Sequence, residues 1–330
     1  MKERVLAGIR PTGKLHWGNY FGALQNWVKL QEKYECFFFI ADWHSLTSEY
    51  ANPAPIKKWT LEVLKDILAA GVDPKKATLF IQSQIPEHAE LHLLLSMYAP
   101  LGWLERVPTY KEMKQELPDK DLSSYGFLGY PVLQSADILL YQAGKVPVGE
   151  DQVSHLEVTR ELVRRFHHLT GQEVFVEPQP LLTKTPRVPG MDRRKMSKSF
   201  NNAIWLDDPP KEIEAKAMQT LTDPARTHRS IPGNPDVCTV YDFHKLVSDA
   251  KTLKWSNDGC RSAGIGCVEC KQAMAKNAVE YFKEFRERKA KLKTDTQLLA
   301  EITEGSKRAQ RVAAETLRRV RQALGIAYAN

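Results

Sequence analysis

Two stretches of this chain combine residue types suited to phosphate chemistry, and a third suits metal binding. The first runs Gly8-Ile9-Arg10-Pro11-Thr12-Gly13-Lys14-Leu15-His16-Trp17-Gly18-Asn19. It lies between a β-rich run, Arg4–Arg10, and a helical pattern, so it reads as a glycine-rich turn leading into a helix N-terminus. Free amides and the positive helix end favour a nucleotide phosphate there. His16 can donate to a phosphate oxygen, and Gly18 admits a purine close to the backbone. The spacing is not Gly-x-Gly-x-x-Gly, so no dinucleotide site is indicated. An ordinary strand–helix turn explains the same residues. The second stretch is Lys195-Met196-Ser197-Lys198-Ser199, beside Arg193 and Arg194. Two lysines three apart on a flexible loop can follow the moving charge of a triphosphate. A basic surface loop is the competing reading. The third is Cys238, Cys260, Cys267 and Cys270, with 21, 6 and 2 residues between successive thiols. Four thiolates suit either a [4Fe–4S] cluster or tetrahedral Zn2+. Structural zinc sites more often use two C-x2-C pairs, and one is present here. Cys36, in an apolar run, reads as core.

These residues need a scaffold, and the periodicity supplies one. Arg4–Arg10, Cys36–Trp43, Thr78–Gln82 and Val146–Gly149 read as strands. Between and after them lie helical patterns at Gly18–Tyr34, Ala54–Ala70, Glu87–Tyr98, Tyr130–Gln142 and Glu150–His168. The alternation predicts an α/β domain with a doubly wound parallel sheet. Beyond a proline-containing loop at Thr185–Arg194 the pattern becomes helical: Pro210–Gln219, Tyr241–Ala250, Val268–Arg288 and Thr296–Leu324. The expected division is residues 1–203 and 204–330, with the last helix returning to the first domain.

Composition bounds the function. The chain has 330 residues, of which 26% are charged, so it is not a mostly disordered chain. Its longest strongly apolar run, Cys36–Ala41, is far short of the ~18 residues that span a membrane. The N-terminal apolar stretch is too short for a signal-peptide core, so a cytoplasmic protein is expected. Net charge is +7, from 47 basic and 40 acidic residues. Residues 271–330 alone hold 14 Lys and Arg against 7 Asp and Glu, which accounts for all of it. A polyanionic partner fits that segment, and so does a solvated helix face.

The Thr12–Asn19 segment and the Lys195–Ser199 loop together resemble the two signatures of class I aminoacyl-tRNA synthetases, HIGH and KMSKS. Three further segments, Ala7–Gly13, Gly129–Tyr141 and Val146–Gln152, are similar to those of tryptophanyl-tRNA synthetases. The resemblance runs from Met1 to about Asn202 and resumes weakly in the C-terminal helices. It implies a Rossmann-like catalytic domain and a helical anticodon-binding domain. The implied reaction is attack of the tryptophan carboxylate on the α-phosphate of ATP bound with Mg2+, then transfer to tRNA(Trp). No side-chain nucleophile is required; the rate comes from positioning and charge stabilisation.

Carried over by motif, Arg10, Pro11, Thr12, Gly18 and Asn19 lie against ATP. Gly149, Glu150 and Asp151 hold its ribose and adenine side, and Val188 touches the adenine. His16, Lys195 and Lys198 act on the phosphates, within the Lys195, Met196, Ser197, Lys198, Ser199 loop. Asp137 accepts a hydrogen bond from the indole N–H, a donor-only group that suits a carboxylate. Gln134, Gln152, His44 and Gly8 complete the tryptophan side. Read without the family, Asp137 is a capping or exposed residue and His44 a structural histidine. Many members carry Met where this chain has Gln134 and Gln where it has Arg10. Tyrosyl-tRNA synthetase specificity and a non-catalytic RNA-binding paralogue are the alternatives.

A subset of tryptophanyl-tRNA synthetases is similar in having four cysteines and a [4Fe–4S] cluster in the anticodon domain, which implies metal ligation by Cys238, Cys260, Cys267 and Cys270. Trp255, Arg261 and Lys271 are then candidates for reading single-stranded anticodon bases. The family also implies a homodimer, for which Leu93, Leu94, Met97 and Tyr98 are candidate interface or core residues.

Overall fold

The computed structural model describes residues 2–107, 121–149, 153–182, 188–198 and 200–328. Five strands form one parallel sheet: β1 (Arg4–Ile9), β2 (Glu35–Ile40), β3 (Ala77–Ile81), β4 (Lys145–Val148) and β5 (Gln179–Leu182). Their order is β3-β2-β1-β4-β5, the doubly wound arrangement that the alternation predicts. The order reverses at β1, so a crevice opens where β1 and β4 end, and the Gly8–Asn19 turn leaves β1 at that point. β5 has no counterpart in the sequence reading. Its Gln-Pro-Leu-Leu run is short and partly exposed, and proline is tolerated in an edge strand, which needs ladder bonds on one side alone.

Helices α1 (Gln25–Lys33), α2 (Asp42–Glu49), α3 (Ile56–Ala70), α4 (Glu87–Ser96), α5 (Tyr130–Leu140) and α6 (Val153–Thr170) surround the sheet. Gly71 ends α3 at φ 109°, a left-handed cap that disfavours any side chain. The single helix expected over Gly18–Tyr34 is interrupted. A short turn at Trp17–Asn19 leads into a π-helical segment, Tyr20–Leu24, before α1 begins. Apolar spacings of three and four fit both geometries, so periodicity does not separate them.

After the sheet come α7 (Pro210–Gln219), α8 (Thr239–Val247), α9 (Ala250–Arg261), α10 (Cys267–Tyr281), α11 (Lys283–Ala290) and α12 (Asp295–Ala323). Helix α9 is absent from the sequence reading; it buries a single residue, Ser256, and its Ser256-Asn257-Asp258-Gly259 run is made of poor helix formers. Its start is fixed by Asp249, whose carboxylate accepts from the Thr252 amide at 2.7 Å. The expected Val268–Arg288 helix divides at Phe282, whose ring stacks on Trp17 at 5.4 Å between centroids.

Alternating strand residues feed two cores. Val5, Phe38, Ile40 and Leu79 join α1 and α3 with Phe243, Met274 and Phe282 of the C-terminal helices. Leu6, Phe37, Phe39 and Phe80 face α4, α5, α6 and residues Ala309, Ala313 and Leu317 of α12. Helix α12 approaches β3 so closely that a Cβ on Gly305 would stand 2.0 Å from the Leu79 carbonyl oxygen. Several basic residues of this region pair with carboxylates. Arg318 pairs with Glu315, Lys307 with Glu304, and Arg321 with Glu90 of α4. No helix among the described residues is long and apolar enough to cross a membrane.

Candidate active site

At the end of β1, Gly8 faces Phe39 so closely that a Cβ would meet the ring at 2.4 Å. The chain then turns through Arg10, whose guanidinium donates to the Ser48 hydroxyl at 2.8 Å. Burial lowers the Arg10 pKa, and its Nε has no hydrogen-bond partner. The buried Pro11 accepts from Ser45 Oγ through its carbonyl, and Gly13 takes φ 113°, a left-handed value. The His16 amide donates to Asn19 Oδ1 at 3.0 Å, closing the first turn. Burial first, and the charge of Lys198 second, lower the His16 imidazole to about 4. His16 Nδ1 is buried without a hydrogen-bond partner. Gly18 leaves room for that ring: a Cβ would stand 2.9 Å from two of its atoms.

The second signature loop is brought to the first by backbone pairing. Trp17 N–H donates to Ile204 O at 3.0 Å, and Leu206 N–H donates to Leu15 O at 3.1 Å. Asn202 shapes the loop, and sequence reasoning missed it. Its Oδ1 accepts from the Ser197 amide, while its Nδ2 donates to Asp192 and to the Lys195 carbonyl. Lys198 Nζ thereby reaches Thr12 Oγ1 at 3.2 Å. Burial is the main cause lowering the Lys198 pKa to about 8; Arg10 lowers it too, while Asp66 opposes. Met196 and Val188 are buried beside the loop. A cavity of about 510 Å³ opens here, lined by Arg10, Thr12, His16, Asn19, Lys195 and Lys198 among others. Ser48, Glu49, Trp59 and Phe200 also line it and were absent from the sequence reading. They come from α2, α3 and the end of the loop, and no motif marks them. A cationic cavity holding an unpartnered imidazole nitrogen is suited to polyanionic phosphate.

On the other side of the sheet α5 carries Asp137, 1% exposed. Its Oδ2 bonds His44 Nε2 at 2.8 Å, and its Oδ1 accepts from Gln82 Nε2 at 2.7 Å and bonds His88 Nδ1 at 2.6 Å. His88 Nε2 in turn meets the Tyr141 hydroxyl at 2.7 Å. Burial works to raise the Asp137 pKa, yet the bonds from His44 and His88 hold it below the ordinary carboxylate value. Asp137 is thus neither a cap nor exposed. The sequence reading sets His44 and Asp137 on the same tryptophan side without pairing them, and it names neither Gln82 nor His88, which lie on other elements. Gln82 Oε1 is buried without a partner, and so is Nδ1 of His92. Gln134 is half-buried one turn before Asp137, and Gly149 follows β4. Glu150, Asp151, Gln152 and Ser199 lie outside the described residues.

Cys36 is core, 1% exposed in β2. The other four thiols are free and near one another: Cys270 feels the charges of Cys238, Cys260 and Cys267. Burial is the larger cause pushing the Cys270 thiol up to about 11. Cys270 Sγ lies 3.2 Å from Ser256 Oγ, and Arg226 Nη1 donates to Cys260 Sγ at 3.7 Å. Among the described residues no group of three or more His, Cys, Asp or Glu is arranged to hold a metal ion.

The family described as tRNA synthetases class I (W and Y) matches residues 2–283. The chain belongs to this family. Within it, a tryptophan–tRNA ligase of Thermotoga maritima is 50% identical over 98% of this chain and 100% of its own length. One from Ralstonia nicotianae is 46% identical over 99% of each. Among solved structures, the tryptophanyl-tRNA synthetase of Campylobacter jejuni, complexed with ADP and tryptophan, is similar at TM-score 0.87 and 33% identity, covering 98% of this chain and 99% of that one. The likeness therefore extends through residues 205–275, where the motif resemblance alone fades. In this synthetase the two signature segments line one cavity, and helix α2 carries Ser48 on its wall and His44 on Asp137.

Proposed function

We propose that this synthetase is a tryptophan–tRNA ligase: it activates L-tryptophan with Mg-ATP and transfers it to tRNA(Trp). The observation that carries the ATP half is the cavity in which the half-buried ammonium of Lys198 and the imidazole of His16 converge, with the Arg10 guanidinium beside them. As the tryptophan carboxylate attacks the α-phosphate, negative charge passes to pyrophosphate. Lys195 and Lys198 receive that charge, and His16, lowered to about 4 and so neutral near pH 7, donates through one N–H. Arg10, Thr12, Gly18 and Asn19 orient the nucleotide, with Gly149, Glu150 and Asp151 on its ribose side and Val188 at the adenine.

Asp137 selects the amino acid. A carboxylate offers about four acceptor directions, and three are taken by His44, Gln82 and His88, so one remains for an indole N–H. Tyrosine specificity is the second reading, because a phenol O–H can use the same acceptor. The 46% and 50% identity to relatives named tryptophan–tRNA ligase favours tryptophan.

The test is amino-acid-dependent ATP–pyrophosphate exchange with tryptophan and tyrosine in parallel. Exchange with tryptophan alone supports the proposal. Exchange with tyrosine overturns the specificity, and exchange with neither favours a non-catalytic RNA-binding paralogue.

Two further parts belong to the same proposal. The four cysteines hold a [4Fe–4S] cluster, with Zn2+ as the alternative. The donor set fits: four free thiols in each other's field, with the Arg226 guanidinium beside Cys260 to offset their charge. When bound, the group ties α8, α9 and α10 together near Trp255, Arg261 and Lys271, the candidate anticodon-reading residues. Iron, sulfide and zinc contents of anaerobically purified protein decide between them. The chain also forms a homodimer, for which Leu93 and Met97 are exposed, whereas Leu94 and Tyr98 pack against the core. Sedimentation velocity checks it.

A further inference from the structure

The nucleotide turn is held from behind by a buried charge network that reaches into the C-terminal helices. Asp66, on α3, is 1% exposed. Its Oδ2 accepts from the Leu15 amide at 3.1 Å, inside the turn and next to His16. Its Oδ1 accepts from Lys289 Nζ of α11 at 2.6 Å. Lys289 also donates to Asp207 at 2.9 Å, and Asp207 takes Lys14 Nζ of the same turn at 3.1 Å. The neighbouring Arg288 donates to the Ala69 carbonyl at 2.6 Å, which docks α11 on the end of α3. On the other flank of His16, the Trp17 ring lies between Phe282 and Phe243.

We propose that Lys289 is a positioning residue for ATP: through Asp66 it fixes the Leu15–His16 backbone, and so places the His16 ring in the phosphate cavity. The physical reason is the cost of a buried charge. A carboxylate this enclosed needs a cation, and with Lys289 gone it is left with its anion uncompensated or takes up a proton. Either change alters the acceptor that holds Leu15 N–H. The groups facing Asp66 are Lys289, Asp207 and Lys198, with Glu62 touching Lys289 at 3.9 Å. Lys289 is thus the sole cation bonded directly to the Asp66 carboxylate among the described residues. Neither Lys289 nor Asp66 lies in a signature motif. The role rests on the proposed ATP site, and wild-type exchange checks that site separately.

The experiment is tryptophan-dependent pyrophosphate exchange by the full chain, varying ATP and tryptophan separately. Lys289→Met is expected to raise the KM for ATP about tenfold or more, while the KM for tryptophan stays within about twofold. Asp66→Asn/Lys289→Met is expected to recover most of that loss, because the Asn oxygen still accepts from Leu15 without a charge to compensate. An unchanged KM for ATP, an equal rise for both substrates, or a double variant as poor as the single one overturns the proposal. If Lys289→Met does not fold, Asp66→Asn and the double variant decide. With the carboxylate absent, removing Lys289 must change the KM for ATP less than about twofold, and a tenfold change overturns the proposal. A wild-type chain without exchange fails the functional reading, and this proposal with it.

Discussion

The cavity around Lys198 and the network around Asp137 solve opposite problems. The cavity gathers the cations Arg10, Lys195 and Lys198 around a neutral His16 and leaves two nitrogens unbonded: Arg10 Nε and His16 Nδ1 are buried without hydrogen bonds, and burial lowers Lys198 to about 8. The network surrounds one anion with three side-chain donors and holds its pKa down. A site for a highly charged, exchangeable ligand is left incomplete, because the ligand supplies the missing charge. A site that must discriminate between similar amino acids is preorganised, because a mobile acceptor would satisfy either one.

This contrast sets the order of expected effects. Asp137→Ala strips the acceptor from His44, Gln82 and His88 at once. It is expected to cost about 3–5 kcal/mol in urea unfolding and to abolish tryptophan-dependent exchange. A loss below about 1 kcal/mol would break the comparison, since the network would then not be structural. Lys198→Met should do the reverse. Exchange falls about 10²–10³-fold, while stability holds or rises because a burial penalty is removed. Unfolding at the Asp137→Ala midpoint would remove the distinction. Gly18→Ala sets a Cβ against the His16 ring at 2.9 Å, and a displaced ring should lower kcat/KM for ATP about 10- to 100-fold.

The pH profile sharpens the cavity half. Lys198 loses its proton as pH rises through about 8, so kcat/KM for ATP should fall above that value. Saturating ATP should move this limb upward, because bound phosphates favour the ammonium. His16, lowered from 6.5 to about 4, stays neutral across this range and should give no inflection near 6.5. An inflection there that disappears in His16→Gln would reverse this account. The smallest effect is expected for Tyr141→Phe, which removes one hydroxyl from His88. About 1 kcal/mol of stability should go, with exchange nearly unchanged.

Much of this is legible without coordinates, and the reasons differ by region. Strand–helix alternation is local, so the parallel sheet and most of its helices could be read directly. The signature segments are contiguous, so Arg10, His16, Lys195 and Lys198 could be found as types at fixed spacing. Asp137 could not be assigned by its own chemistry: an Asp on a helix is ordinarily a cap or exposed, and the resemblance alone reversed that. The π-helical segment at Tyr20–Leu24 and the edge strand β5 were missed because each lacks the periodic signal that distinguishes its class, and helix α9 because its Ser256–Gly259 run is made of poor helix formers.

The sequence by itself determined the scaffold and the inventory of charged groups that meet phosphate, since both are written in contiguous residues. Tertiary structure alone decided the environments. Gln82 and His88 become partners of Asp137 because β3 ends and α4 begins beside α5. Asn202 becomes the brace of the lysine loop by folding back on Lys195 and Ser197. Lys289 reaches Asp66 across 223 positions of chain because α11 docks on α3. A pKa, an unpartnered nitrogen or a buried ion pair depends on what surrounds a side chain, and those neighbours are chosen by packing between distant segments.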